Sequence, residues 1–253
     1  MDCDILRDDQ WERIKGFVPG GTKGKRGPRT NNRRFLDALL WMARSGGRWR
    51  DLPERLGKYQ SVKRRYYRWI EMGVLDDVLA ALSREADMEW LMIDSTIVRA
   101  HQHAAGARKE KGGPDAQGLG RSRGGLSTKI HDAGDALGNP LRLIGTPGQR
   151  NDIAFAHELV DGFNAGAMIG DKGYDADHLC QEIAETGAEI VIPPKRNRKV
   201  QRAYDADLYK ERNIIERFFN KLKQFRRVAT RYDKLLVNFM GFVKLAAIAI
   251  WLK

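Results

Sequence analysis

Three acidic residues that lie far apart along the chain have the chemistry and the local context of metal ligands. Asp94 and Asp171 each follow a short apolar segment typical of a buried strand, and Glu216 lies in a segment with helical periodicity. Mg²⁺ prefers oxygen ligands, and two such ions about 3.5–4 Å apart can activate an attacking oxygen and stabilise a leaving one. We therefore interpret the three carboxylates as a candidate site for metal-dependent phosphoryl transfer.

A polar stripe surrounds Glu216 on the helix that we expect there. At about 100° per residue, four polar residues of this segment fall within roughly 40° of Glu216. They are Tyr209, Arg212, Asn220 and Lys223. The opposite side of the same helix is apolar and carries Ile214, Phe218, Leu222 and Phe225. The pattern predicts a buried helix that presents one carboxylate, flanked by two cations, to the site.

Each acidic residue also has an ordinary explanation when it is taken alone. An Asp that follows a strand is usually a turn former or a helix cap, and Glu216 can form a simple i, i+4 ion pair with Arg212. Asp152 and Asp175 are further acidic candidates, and we interpret both as helix N-caps. The combination of two strand aspartates, one helix glutamate and the polar stripe favours the metal site.

Hydrophobic periodicity divides the chain into two regions. Residues 1–85 show helical patterns, whereas from residue 89 short apolar segments alternate with helical ones. We predict an all-helical, helix-turn-helix-like DNA-binding domain over 1–85 and an α/β domain with a mixed sheet over 86–253. One strand is expected to end at Asp94 and a second to begin at Thr96. The final apolar run, 245–252, is too short to cross a bilayer and indicates a core helix.

Basic residues are concentrated where a polyanion could bind. The net charge is +12, yet residues 130–194 carry 3 Lys/Arg against 11 Asp/Glu, and residues 195–234 carry 14 against 5. An acidic block beside basic ones fits a metal site next to nucleic-acid-binding surfaces, although charge alone does not distinguish nucleic acid from an anionic membrane.

A predicted helix over 61–71 has one basic face and one packing face. Its cations are Lys63, Arg64, Arg65 and Arg68. Helix, Gly-containing turn and basic helix together form the outline of a helix-turn-helix, which predicts DNA contact. The alternative is a solvated basic helix in a packing domain.

A Gly-rich basic loop follows over 102–125. Its DNA-contact candidates are Arg108, Lys109, Arg121 and Arg123. We expect this loop to become ordered on nucleic acid; the alternative is a disordered insert. The two cysteines, Cys3 and Cys180, give no disulfide framework, and the first residues lack an apolar signal segment, so we expect a reducing, cytoplasmic setting.

Taken together, these motifs resemble those of the DDE transposases of bacterial insertion sequences, in particular the IS5 family. The spacing Tyr209-x2-Arg212-x3-Glu216-x6-Lys223 matches the Y-R-E-K signature of that group. Ile93-Asp94-Ser95-Thr96 and Asp171-Lys-Gly-Tyr-Asp are similar to its two aspartate motifs. Residues 125–141 resemble its hairpin, and residues 49–53 and 68–70 its helical DNA-binding region. The resemblance covers almost the whole chain.

The resemblance implies an RNase H-like catalytic domain in which Asp94, Asp171 and Glu216 bind two Mg²⁺ or Mn²⁺ ions. Tyr209, Arg212 and Lys223 would contact the DNA strand near the reacting phosphate. The implied partners are double-stranded DNA, as terminal inverted repeats and as target, and a second copy in the DNA complex, with no membrane partner. The implied setting is the bacterial cytoplasm, at the nucleoid when DNA is bound.

The expected reaction is cleavage at the ends of a mobile element to free 3′-hydroxyl groups, followed by their transfer to target DNA. Two alternatives remain at this point. One is a simple metal-dependent nuclease, and the other is a catalytically silent DNA-binding protein derived from a transposase.

Overall fold

The computed structural model describes residues 5–20, 31–106, 115–122 and 124–253. The described helices, in chain order, are α1 (Asp8–Ile14), α2 (Asn32–Ser45), α3 (Tyr59–Glu71), α4 (Val74–Leu82), α5 (Ala156–Val160), α6 (Asp177–Glu185), α7 (Asn213–Lys223), α8 (Arg226–Ala229) and α9 (Leu236–Trp251). The described strands are β1 (Trp90–Ala100), β2 (Gly120–Ser122), β3 (Gly125–Gly134), β4 (Pro140–Pro147), β5 (Ala167–Gly170), β6 (Glu189–Val191) and β7 (Thr230–Arg231).

The chain separates into two compact units. The first contains Met1–Arg84, His101–Gln117 and Leu222–Lys253, and the second contains Glu85–Ala100 and Gly118–Lys221. No helix among the described residues is both long enough and apolar enough to span a bilayer.

The first unit is helical, and residues with known helix-end preferences lie at both ends of α2. The Asn31 side chain accepts a hydrogen bond from the backbone N–H of Arg34 and so caps α2, which ends at Gly46 in the left-handed conformation. Helix α9 is apolar on all sides, so it must be covered on all sides, and it packs against α2, α3 and α4. The need to cover α9 explains why residues 222–253 belong to the same compact unit as the N-terminal helices. The domains predicted from the sequence, 1–85 and 86–253, separate these two parts of the chain.

The second unit is built on a mixed sheet. Strand β1 pairs antiparallel with β3 on one side and parallel with β5 on the other. Strands β4 and β2 both pair antiparallel with β3, and β6 extends the parallel side beyond β5. An antiparallel group followed by two parallel strands around a central first strand is the arrangement of an RNase H-like sheet. The predicted α/β class with a mixed sheet is confirmed.

Two local predictions near the site are wrong. Strand β1 does not end at Asp94, because backbone pairing with β3 continues in register from Asp94↔Asp132 to Arg99↔Ser127. Asp94 therefore lies in the middle of one long strand. The predicted late helix also begins differently: Leu208–Arg212 is a 3₁₀ turn, and only then does α7 start. A 3₁₀ turn has about 3.0 residues per turn, so the angles expected for Tyr209 and Arg212 do not hold.

Candidate active site

The sheet brings Asp94 and Asp171 to neighbouring positions. Ile93 of β1 pairs with Gly170 of β5 in a parallel register; Asp94 is the next residue of β1, and Asp171 comes directly after β5. Paired strands lie about 4.8 Å apart, so the two aspartates leave adjacent points of the same sheet. Their adjacency follows from strand order and register alone.

Arg212 links Asp94 to Glu216. Its Nη1 donates to Asp94 Oδ2 at 2.6 Å, and its Nη2 donates to Glu216 Oε1. The simple i, i+4 ion pair that the sequence allowed is present, but the same guanidinium also binds the strand aspartate. The structure therefore places Asp94, Arg212 and Glu216 in one connected group.

The electrostatics show that the three carboxylates are close enough to influence one another. The pKa of Asp94 is raised to about 6, mainly by burial and in smaller part by the charges of Asp171 and Glu216. The Ser95 N–H, which donates to Asp94 Oδ1 at 2.7 Å, and the Arg212 guanidinium oppose that rise in pKa. Crowded carboxylates whose mutual repulsion raises a pKa are chemically suited to bind a divalent cation.

In the described part of the chain, no three acidic, His or Cys side chains are arranged to share a metal ion. Three hydrogen bonds occupy oxygens of the candidate carboxylates. Arg212 donates to Asp94 and to Glu216, and Asp171 Oδ1 accepts the Gly173 N–H at 2.7 Å. The oxygen donors of Asp94, Asp171 and Glu216 are of the kind that hard divalent ions prefer.

The other members of the polar stripe occupy different positions. The Tyr209 ring is half-buried, with its centroid 6.0 Å from the Arg212 guanidinium carbon. Lys223 is the last residue of α7, and burial lowers its pKa. On the apolar side the buried residue is Ile215, whereas Ile214 is only partly buried.

Asp152 is not the helix cap that we predicted. Its segment begins at Asn151 without a side-chain cap. The Asp152 carboxylate instead accepts hydrogen bonds from Ser95 Oγ and Lys129 Nζ, both at 2.8 Å. Because Lys129 is almost completely buried, it needs a counter-charge, and a network across strands satisfies that need in a way that local sequence does not reveal.

Asp175 is not a cap either. Helix α6 begins after Ala176, without a side-chain cap. The Asp175 side chain is fully buried and binds three groups from a later segment: the Lys195 N–H at 2.7 Å, Arg198 Nε at 2.6 Å and Arg202. The partners are 20 or more residues away, so helix-start patterns could not reveal them.

Sequence reasoning missed Asp132. It lies directly opposite Asp94 on β3, is 1% exposed, and neither of its carboxylate oxygens has a hydrogen-bond partner among the described residues. Burial raises its pKa well above the usual range, and the charges of Asp94 and Asp135 add to that rise. Asp132 lies within the hairpin motif, so its position opposite Asp94 follows once the hairpin is aligned with β1.

The predicted DNA contacts differ in how available they are. Arg64 and Arg68 on α3 and Arg121 on β2 are exposed, and Lys63 lies 5.8 Å from the Tyr67 ring. Arg65 instead packs inward: its guanidinium carbon lies 4.2 Å and 5.2 Å from the ring centroids of Phe35 and Trp69. The predictions for Arg108, Lys109 and Arg123 fall outside the described residues.

A groove of about 450 Å³ runs beside the basic face of α3. Its basic lining residues are Arg34, Lys58, Arg64, Arg65 and Arg68. Its floor is apolar and includes Phe35, Leu56 and Val62. All of these residues belong to the first unit, so the groove is a property of the helical part of the chain.

Comparison with known families gives two matches that together cover almost the whole chain. Residues 6–79 match the family described as "Putative transposase of IS4/5 family (DUF4096)". Residues 85–252 match the family described as "Transposase DDE domain".

Individual relatives are similar over about half of the chain. A protein of Brucella ovis, "Putative transposase for insertion sequence element IS6501", is 46% identical over 132 residues, which are 51% of this chain and 100% of that protein. "Uncharacterized protein y4sN" of Sinorhizobium fredii is 88% identical over 113 residues, 45% of this chain and 90% of that protein. "Putative transposase for insertion sequence element IS402" of Burkholderia cepacia is 27% identical over 47% of this chain and 59% of its own length.

Among solved structures, a piggyBac transposase synaptic complex with hairpin DNA is similar at a TM-score of 0.42 and 12% identity. The match covers 78% of this chain and 51% of that one, so the chain spans about half the length of that structure.

Proposed function

Because this chain belongs to the DDE transposases of the IS4/5 type, we propose that it moves an insertion sequence by cutting its ends and joining them to new DNA. In this proposal it binds the terminal inverted repeats, cleaves the ends to free 3′-hydroxyl groups and transfers those groups to target DNA. The observation that carries the proposal is the pairing of Ile93 with Gly170. That register sets Asp94 beside Asp171, and Arg212 connects Asp94 to Glu216.

Asp94, Asp171 and Glu216 would hold two Mg²⁺ or Mn²⁺ ions. Ions held in this way supply an activated water or hydroxyl and neutralise charge on the leaving oxygen. The protein contributes one carboxylate within β1, one directly after β5 and one on α7. No Tyr or Ser nucleophile is required, because the attacking oxygen comes from water or from the freed DNA end.

Arg212 has two roles in succession. Before loading it neutralises Asp94 and Glu216; afterwards its guanidinium is free to contact the phosphate that reacts. A guanidinium suits that contact because it can donate two parallel hydrogen bonds to phosphate oxygens. Tyr209 and Lys223 would contact the same strand, and a cation near the phosphate stabilises its charge during transfer.

The helical unit would recognise the element's ends. The groove beside α3 combines exposed Arg64 and Arg68 with an apolar floor, which fits a DNA backbone contact beside a helix in the major groove. An Arg64→Gln, Arg68→Gln double variant should bind the ends more weakly. The log–log salt slope of its binding should be shallower by about 0.9 for each phosphate that is no longer neutralised. Arg65→Ala should mainly lower stability, since Arg65 packs on Phe35 and Trp69.

We also propose that two copies act together on a pair of ends, in the bacterial cytoplasm and at the nucleoid when bound to DNA. The cut and the transfer then involve both ends of one element. Sizing of the protein with and without an inverted-repeat duplex tests the dimer: a complex containing one protein copy would contradict it.

A strand-transfer assay with a labelled element end and a plasmid target tests the activity. Wild-type protein with Mg²⁺ should release the flanking strand and then join the labelled end to the plasmid. Release without joining would identify a simple nuclease. The Asp94→Ala, Asp171→Ala and Glu216→Ala variants should still bind the end but should neither cut nor join it. Wild-type protein that binds the end and cuts nothing would identify a catalytically silent DNA-binding protein.

A further inference from the structure

The segment that Asp175 holds is unusually basic. Residues 195–202, here called the anchored segment, contain five Lys/Arg and no Asp/Glu. This segment follows β6 and precedes the 3₁₀ turn that carries Tyr209. It was not among the DNA contacts expected from the sequence.

Asp175 fixes the anchored segment at both ends. Near its start, the Asp175 carboxylate accepts the Lys195 N–H at 2.7 Å, and Lys195 Nζ donates back to the Asp175 carbonyl at 3.1 Å. Towards its end, the same carboxylate binds Arg198 and Arg202. A fully buried carboxylate with this many partners holds the backbone of the segment in place.

The remaining two cations of the segment face solvent. Arg196 and Lys199 are exposed, and no carboxylate of the described residues pairs with either. Val200, between the anchored positions, is 75% exposed. An ordinary solvated segment has few hydrogen bonds to buried groups. Here a buried Asp binds the segment, while Arg196 and Lys199 stay available to bind an anion.

The anchored segment lies close to the candidate active site. The 3₁₀ turn Lys172–Tyr174 lies between Asp171 and Asp175, and at about 2 Å per residue the four steps from Asp171 to Asp175 span roughly 8 Å. Chain geometry then keeps Arg196 and Lys199 within roughly 20 Å of Asp171, which is less than one turn of B-DNA at about 34 Å.

We propose that the anchored segment is a DNA-backbone contact, in which Arg196 and Lys199 bind phosphates within one helical turn of the phosphate that is cut. This proposal rests on the proposed function, since it takes DNA to be the substrate of the Asp94–Asp171 site. Asp175 acts as a positioning residue, because it holds the segment without touching DNA.

The first test measures binding of an inverted-repeat duplex between 50 and 200 mM salt. An Arg196→Gln, Lys199→Gln double variant should bind with a log–log salt slope shallower by about 1.8, since each neutralised phosphate contributes about 0.9 to the slope. An Arg7→Gln, Arg48→Gln double variant removes the same charge at exposed positions already paired with Asp9 and Asp51, and it should keep the wild-type slope. Thermal unfolding should be unchanged in both variants.

The second test locates the contact. A Val200→Cys variant in a Cys3→Ser background, labelled with an iron chelate, should cut the duplex within one helical turn of the scissile phosphate. Cuts confined to distant positions would overturn the proposal.

The outcomes separate this proposal from the proposed function. If wild-type protein binds the ends with a steep salt slope and the Arg196, Lys199 variant behaves identically, the segment is not a DNA contact and the transposase function stands. If wild-type protein binds no DNA, both proposals fail. A shallower slope in the Arg7, Arg48 control as well would show a general effect of net charge and would also overturn the segment's role.

Discussion

Replacing Arg212 by Ala removes one guanidinium that serves two carboxylates. We expect the metal-free variant to be less stable than wild type and yet to bind Mn²⁺ more tightly. The reason is that Arg212 donates to Asp94 and Glu216 where ions would bind them, so wild-type protein must break these contacts before loading.

The size of the expected loss of stability follows from how exposed the Asp94, Arg212 and Glu216 side chains are. The Asp94 and Arg212 side chains are 16% and 21% exposed, so their bond is worth about 1.5–3 kcal/mol. Glu216 is 53% exposed, so its share is at most about 1 kcal/mol. A loss of about 2 kcal/mol in the free energy of unfolding lowers the melting temperature of a chain of this size by about 4–8 °C.

Calorimetric titration with Mn²⁺ at pH 8 provides the assay. At that pH Asp94, with a pKa of about 6, is ionised in wild type, so protonation does not mask the effect. If the contacts that wild type must break are worth about 1.4 kcal/mol or more, Arg212→Ala should bind Mn²⁺ at least about tenfold more tightly. The Arg212→Lys variant keeps the charge but lacks the forked guanidinium. Its Mn²⁺ affinity should lie between those of wild type and Arg212→Ala.

Cleavage separates the two roles of Arg212. The Arg212→Ala variant should cut DNA more slowly than wild type even when fully loaded, because the guanidinium that would bind the reacting phosphate is absent. If it instead binds Mn²⁺ as weakly as Asp94→Ala does, Arg212 supports the ions rather than competing with them, and the reasoning is wrong.

Three further outcomes are expected. The pKa of Asp94 is raised to about 6, so its charged form is lost as pH falls through 6. Mn²⁺ affinity at pH 5 should therefore be about tenfold below that at pH 7. An affinity independent of pH would contradict this expectation. Asp152→Ala should lower the free energy of unfolding, measured with urea, by about 3 kcal/mol, because Lys129 stays buried without its counter-charge. Adding Lys129→Met should restore part of that loss. A loss below about 0.5 kcal/mol would show that the Asp152–Lys129 pair does not stabilise the fold. Gly138→Ala should lower the free energy of unfolding by about 1–3 kcal/mol more than Gly187→Ala does. Both glycines have φ near +80°, but only a Cβ at position 138 would meet a methyl carbon of α7, at 2.5 Å. Equal losses would show that backbone strain alone decides the effect.

Local signals gave much of the fold. The short strand that was predicted before Asp171 is present, and the Asn31 cap and the Gly46 end of α2 likewise follow from a few neighbouring residues. Such features depend on backbone preferences and hydrogen bonds within one turn, and those preferences are present in the sequence itself.

The buried polar networks could not be predicted in this way. Asp152 and Asp175 had plausible local roles as caps, but their partners come from other strands or from a segment 20 or more residues later. Desolvation, rather than local preference, decides such pairings, because a buried carboxylate must be matched by whatever donors the fold brings near it. The same reasoning applies to Asp132, which is located only by the register of β3 against β1.

The candidate site was anticipated as a set of residue types, and its roles remain predictions. The expectation for Asp94 and Asp171 rested on the apolar segment before each of them; the structure places Asp94 within β1 and Asp171 directly after β5. The 3₁₀ turn before α7 was not visible, since its residues fit an α-helical pattern equally well, and it is this turn that carries Arg212.

Strand β1 runs without interruption through Asp94, where it pairs with β3, and its parallel pairing with β5 ends one residue earlier, at Ile93. One carboxylate of the candidate site is thus part of a stiff frame that local loop motion cannot displace. In the proposed reaction, an adjustment of spacing between the cutting and joining steps would come from the segment that carries Glu216, which follows a junction between a 3₁₀ turn and an α-helix. Engineering that aims to change the balance between the two steps should therefore target the residues around 208–216 and leave the central strand unaltered.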